Sequence, residues 1–259
     1  MSLSLDKKNG EKIVASIYKD SKIIGDVRYI EEEDVKGQCL KKIRLNEKDE
    51  AFFPCISEWD KTEQVDRCYI SGETGCGKST FIKAYVQRFH KRYPRSKILL
   101  FSSKAEDKML DNLPIERMNI DDDIHNNPFT LKELSTKSKP LLTVFDDIQD
   151  FPNKKINNEV ARLRDEIMRN GRSYGIYSLF VHHDPCDYKS TKSQLFECNK
   201  VIIFPKRCGK GAYNYLMDRK LHLSSKNINV INSLKSNYVC INKGVPKYII
   251  SDKYIILDE

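Results

Sequence analysis

The run Gly72-Glu73-Thr74-Gly75-Cys76-Gly77-Lys78-Ser79 constrains this chain more than any other stretch. It satisfies G-x-x-x-x-G-K-[ST] at every fixed position. Arg67-Cys68-Tyr69-Ile70-Ser71 before it is β-prone, and Phe81, Ile82, Tyr85, Val86 and Phe89 after it fall at helical spacing. A strand, a glycine-rich loop and a helix in this order make a phosphate-binding loop. The glycines let successive backbone N–H groups curl around phosphates, and the helix N-terminus adds partial positive charge. Lys78 reaches the β- and γ-phosphates, and the Ser79 hydroxyl is placed to hold Mg²⁺. The nucleotide-binding residues expected are Gly72, Glu73, Thr74, Gly75, Cys76, Gly77, Lys78, Ser79 and Thr80.

The rest of the chain is read around that loop. Strand-like Ser96–Ser102, Leu141–Phe145, Ser178–Val181 and Lys200–Phe204 alternate with helical stretches such as Asn158–Asn170. That alternation predicts an α/β fold with a mostly parallel central sheet flanked by helices. Residues 1–60 read as a small β-rich lobe. Its short strands are Lys12–Tyr18, Ile23–Ile30 and Cys39–Leu45, broken by Gly10, Gly25 and Gly37, with Phe52, Phe53, Pro54 and Trp59 leading on. Residues 61–259 read as the nucleotide-binding domain. Tyr238–Ile241 and Lys247–Ile250 around Asn242-Lys243-Gly244 predict a C-terminal β-hairpin. Asp121-Asp122-Asp123 reads as a solvated loop.

The strand at Leu141–Phe145 runs into Asp146-Asp147. An apolar strand that delivers a carboxylate to its C-terminal end is what a Walker B element requires. Asp146 is expected to serve the Mg²⁺ ion, and Asp147 to orient or deprotonate the attacking water. Asp150, after Ile148-Gln149, gains no defined role. Room for a complete strand between Lys78 and Asp146 points to the RecA-like (ASCE) division of P-loop NTPases and away from simple nucleotide kinases. The next strand ends in Val181-His182-His183-Asp184. A polar group there could sense the γ-phosphate; His183 is the candidate and His182 the alternate, because strand alternation sends the two to opposite faces. A zinc site built on the two histidines would need an acid or thiol at helical spacing, which the sequence does not supply.

Arg169-Asn170-Gly171-Arg172 offers Arg172, or Arg169, as an arginine completing a neighbouring subunit's site. Lys189, Lys192, Lys206, Arg207 and Lys210 form a basic cluster that suits DNA phosphates or plain solvent equally. The net charge of +8 and 32% charged residues likewise fit a polyanion partner or solubility alone. No apolar run of about 18 residues and no signal-peptide pattern occurs, so neither membrane insertion nor export is expected. The eight cysteines, at 39, 55, 68, 76, 186, 198, 208 and 240, lack C-x₂-C pairing and read as reduced thiols. Cys76, inside the phosphate loop, reads as a tolerated small residue.

Taken in order, Tyr69-Ile70-Ser71 with the phosphate loop through Thr80, Phe145-Asp146-Asp147-Ile148, Arg169–Arg172, Val181-His182-His183, Thr191-Lys192 and Phe204-Pro205-Lys206 resemble the FtsK/HerA-type genome-packaging ATPases of large DNA viruses, virophages and Polinton-like elements. The resemblance covers roughly residues 66 to 250. It implies an ATP-driven, Mg²⁺-dependent translocase of double-stranded DNA. The implied assembly is a ring, often a hexamer, that loads a genome through a capsid or portal partner in the virus factory or virion. By motif, Asp147 takes the catalytic-acid position and His183 the sensor position. Two departures stand out: His182-His183 where relatives carry glutamine or serine-histidine, and Thr191-Lys192 where many carry Thr-Arg. A replication helicase or initiator, and a virion protein that binds nucleotide without turnover, are the other readings. A GTP switch would need Asn-Lys-x-Asp, and Asn242-Lys243-Gly244-Val245 lacks its acid.

Overall fold

The computed structural model describes residues 2–5, 10, 12–30, 40–59, 64–120, 124, 126–135, 139–148, 151, 153–186 and 191–258. Gly37, Cys39, Asp121–Asp123, Gln149, Asp150 and Lys189 lie outside the described residues. The strands in chain order are β1 (Ser2–Ser4), β2 (Lys12–Lys19), β3 (Lys22–Ile30), β4 (Lys42–Arg44), β5 (Glu50–Pro54), β6 (Arg67–Ser71), β7 (Ile98–Ser102), β8 (Glu116–Arg117), β9 (Leu141–Asp146), β10 (Ile176–His182), β11 (Lys200–Ile203), β12 (Val239–Asn242), β13 (Tyr248–Ser251) and β14 (Tyr254–Leu257). The α-helices are α1 (Lys78–Arg92), α2 (Leu131–Leu134), α3 (Lys154–Asn170), α4 (Lys192–Glu197), α5 (Lys210–Tyr215) and α6 (Ser225–Ser233).

The chain forms two compact units. Residues 56–199 make one, and residues 1–55 together with 200–259 make the other. This differs from the division into 1–60 and 61–259 expected from the sequence. The physical reason is strand pairing: β14, near the C-terminus, hydrogen-bonds antiparallel to β4, with Ile255 opposite Ile43. The third of the expected N-terminal strands therefore belongs with the C-terminal ones. The predicted hairpin is β12–β13, and β14 extends it by a further antiparallel strand. β1, β3, β2 and β5 form a separate antiparallel sheet in that order, so Phe52, Phe53 and Pro54 are a strand and not a lead-in.

In the unit of residues 56–199 the strand order is β6-β10-β9-β7-β8, with every pairing parallel. The strands β6, β7, β9 and β10 are apolar and almost wholly buried, as a parallel sheet covered on both faces requires. The chain leaves β6, crosses beyond the position of β9 to make β7, and returns; β10 then inserts between β6 and β9. That order places β7 outside β9, whose end carries Asp146, and β10 beside β6, which leads into Gly72–Ser79. Phe101, Phe145 and Phe180 stack across β7, β9 and β10, at 4.7 and 5.3 Å between ring centres. α1 buries Phe81, Ile82, Tyr85, Val86 and Phe89, and its last turn carries His90, Lys91 and Arg92, which complement the helix dipole. α3 is capped by the Asn153 side chain on the Lys155 N–H and buries Ile156, Val160, Leu163 and Ile167.

Candidate functional site

Parallel register assembles the site. Ser71 of β6 pairs with His182 of β10, Phe145 of β9 pairs with Phe180 of β10, and Ser102 of β7 pairs with Asp146 of β9. The four strands therefore end almost level, and the residues just past their ends converge at one edge: Gly72, Ser103, Asp147 and His183. The Gly72 N–H donates to the His182 carbonyl at 3.3 Å, which ties the start of the glycine-rich loop to the end of β10.

Gly77 caps α1 at φ 112, a left-handed conformation that a side chain strains. No side chain caps this helix and no acid lies in its first turn, so its N-terminal N–H groups and partial positive charge face the loop. Lys78 is 8% exposed and donates to the carbonyls of Gly72 at 2.5 Å and Glu73 at 3.2 Å. Its Nζ also lies 3.5 Å from His183 Nδ1, and Thr74 Oγ1 lies 3.4 Å from the same nitrogen. Lysine is a donor only, so Nδ1 accepts and the imidazole proton sits on Nε2. That Nε2–H donates to Asp147 Oδ1 at 2.7 Å. His183 thus bridges the phosphate-loop lysine and the second acid. His182 points elsewhere: it is buried, stacked on Tyr69 at 4.7 Å, and burial pushes its imidazole down to about 3, with the Arg164 charge adding to the effect.

The two acids differ in environment. Asp146 is 6% exposed; burial, and then the charge of Asp147, push its carboxyl up to about 6. Asp147 sits just past β9 at φ 51, a left-handed conformation uncommon outside glycine, though aspartate adopts it more readily than most residues. Burial works to raise its carboxyl, but the hydrogen bonds from Lys104 and His183 and the Lys104 charge outweigh it and hold the group below the usual carboxylate range. Lys104 Nζ pairs with Asp147 Oδ2, and Ser103 Oγ donates to the Asp147 carbonyl at 2.7 Å. Sequence reasoning missed Ser103 and Lys104. The available signal was positional, since they follow the added strand at the same C-terminal edge that carries the acids.

The donor set suits a hard divalent cation. Ser79 lies in the first turn of α1, half-buried, and a cation would relieve the charge penalty that keeps Asp146 high. Arg172 is not near this edge. It is exposed, in the turn between α3 and β10, and the seven residues of β10 separate it from His183 by roughly 20 Å. Arg169 donates to the Asp165 carbonyl within α3. Of the basic cluster, Lys192 belongs to this unit and Lys206, Arg207 and Lys210 to the other.

The loop Gly72–Ser79 after β6, the acids Asp146 and Asp147 at the end of β9, β10 between these strands and β7 beyond them define the fold of a P-loop NTPase of the RecA-like division. The chain is 30% identical over 253 residues to "Uncharacterized protein V3" of Sputnik virophage, across 96% of this chain and 95% of that one, and it belongs to the family of that protein. A family model described as RNA helicase matches residues 68–149, the span from β6 to just past β9. Among solved structures, the genome packaging NTPase B204 of Sulfolobus turreted icosahedral virus 2, in complex with AMPPCP, is 14% identical with a TM-score of 0.49. That likeness covers 72% of this chain and 97% of B204. The pCW3 conjugation coupling protein TcpA, with ATPγS, is 13% identical with a TM-score of 0.49, over 93% of this chain and 76% of TcpA. Among the described residues no helix is long and apolar enough to cross a membrane.

Proposed function

We propose that this protein is an ATP-hydrolysing translocase of double-stranded DNA that packages a viral genome into its capsid, working as a homo-oligomeric ring. The observation that carries the hydrolytic part is the bridge from Lys78 through His183 to Asp147. A protein that only bound nucleotide would need the phosphate loop alone. Here a second, ionised acid is held at the same edge and linked to the lysine that meets the phosphates.

In this reading Lys78 and the loop N–H groups bind the triphosphate and stabilise charge on the transferring phosphoryl group. Ser79 and Asp146 would hold Mg²⁺, which supplies charge neutralisation when bound. Asp147 orients or deprotonates the attacking water, and His183 reports the γ-phosphate. Arg172, remote from its own site, serves a neighbouring subunit's site in trans. Support for DNA as the track comes from the motif series shared with FtsK/HerA-type packaging ATPases, from the net charge of +8, and from membership in a virophage family. A strand-separating ATPase is the competing reading, favoured by the helicase-model match over residues 68–149.

The test is ATP turnover by the full chain with and without double-stranded DNA, alongside particle mass with ATP and Mg²⁺. Turnover that rises on duplex DNA in a ring-sized particle supports the proposal. A monomer whose turnover ignores DNA sinks the translocase part, and displacement of one strand from the duplex favours the helicase reading.

A further inference from the structure

We propose that Lys104 is a positioning residue of this ATPase: by gripping one oxygen of Asp147 while His183 grips the other, it fixes the plane of the water-activating carboxylate. The inference rests on the hydrolytic reading above and adds to it a residue from the added strand's end.

The geometry is specific. Lys104 Nζ engages Asp147 Oδ2 and His183 Nε2 engages Oδ1 at 2.7 Å, so the carboxylate is held at both oxygens by residues just past the ends of two different strands. A carboxylate offers about four lone-pair directions, so two donors leave capacity for a water. The grip extends to the backbone, because Ser103 Oγ donates to the Asp147 carbonyl and Ser102 Oγ accepts from the Lys104 N–H at 3.2 Å. Residues 102–104 thus clamp an aspartate whose own backbone lies at φ 51, where it would otherwise have reason to relax. Lys104 is exposed over 55% of its side chain while Asp147 is 5% exposed, so the lysine reaches in from solvent and its loss opens no core cavity.

A lysine at this edge could instead touch the phosphates directly. The two roles separate experimentally, because a residue acting through Asp147 changes the chemical step and leaves nucleotide affinity alone. The experiment measures kcat for ATP, and the Kd of ATPγS, for the full-length wild type, Lys104→Met and Lys104→Arg. Lost orientation of a catalytic group should lower kcat of Lys104→Met by about tenfold or more, with the ATPγS Kd within about twofold of wild type. Lys104→Arg, which keeps the charge and a donor, should recover most of the rate. An unchanged kcat in Lys104→Met overturns the proposal. So does a Kd that weakens in parallel with kcat, which would place Lys104 on the nucleotide. A wild type without turnover is a different failure: it removes the hydrolytic reading itself and takes the positioning role with it.

Discussion

Replacing Asp146 by asparagine should stabilise the protein in the absence of Mg²⁺ and nucleotide, and the gain should depend on pH. Burial, and then the Asp147 charge, raise the Asp146 carboxyl from 3.8 to about 6. An acid that holds its proton more tightly folded than unfolded favours the folded state when protonated. Stability is therefore lost as pH rises from 3.8 through about 6, and the loss is complete above it. At about 1.4 kcal/mol per pKa unit, ionising Asp146 costs about 3 kcal/mol at pH ~8 and about 1 kcal/mol at pH ~4.5. Asparagine keeps the shape and escapes the charge. Asp146→Asn should then raise Tm by roughly 5–10 °C at pH ~8 in chelator, and the gain should shrink to about a third at pH ~4.5. Thermal unfolding followed by circular dichroism at both pH values reads this directly. An Asp146→Asn protein less stable than wild type at the higher pH, or a gain of equal size at both, would falsify the claim that an uncompensated buried charge sits at the end of β9. The same variant should lose the additional stabilisation that Mg²⁺ gives with ATPγS, since the ion and the carboxylate offset one another.

Lys78→Ala should abolish detectable nucleotide binding, whereas Asp147→Asn should keep ATPγS affinity and lose turnover by about 10²–10⁴-fold, the usual worth of a general base; undiminished hydrolysis in Asp147→Asn removes the water-activating role from that residue. Arg172→Ala should bind nucleotide and assemble normally yet turn over about a thousandfold more slowly, with activity returning when it is mixed with Lys78→Ala subunits that retain the arginine; no complementation in mixed rings argues against action in trans. Gly175→Ala should lower stability by roughly 1–2 kcal/mol in urea titrations, because φ 66 strains a side chain there and the new methyl would meet Trp59 Cε2 at 3.2 Å; an unchanged midpoint would refute both the strain and the contact.

How far the sequence spoke depends on how local the cause was. β6, the loop and α1 were legible because glycine spacing and a 3.6-residue apolar stripe are properties of adjacent residues. The strands β7, β9 and β10 were legible as apolar runs, and Asp146-Asp147 and His182-His183 as polar groups ending them. The division into units was not, because the pairing of Tyr254–Ile256 with Lys42–Arg44 joins residues more than two hundred apart and depends on no local pattern. Lys104 was missed for a related reason. One exposed lysine in a charged chain carries no signal until the β7–β9 register sets Ser102 opposite Asp146 and so brings residue 104 to the acid.

That register also bears on how nucleotide would be sensed. The Lys78 ammonium has three N–H donors, and three acceptors surround it: the Gly72 carbonyl, the Glu73 carbonyl and His183 Nδ1. Phosphate oxygens arriving at Lys78 must therefore displace at least one of these acceptors. If His183 is displaced, its Nδ1 can accept from the Thr74 hydroxyl instead, while its Nε2–H still holds Asp147. The imidazole then links phosphate occupancy to the orientation of the acid through one rigid ring, with Lys104 anchoring the far oxygen. Removing either grip should uncouple binding from turnover in the same direction: affinity kept, rate lost. His183→Ala and Lys104→Met, combined, should cost less than the product of their separate effects, because both act on one carboxylate whose orientation is lost only once.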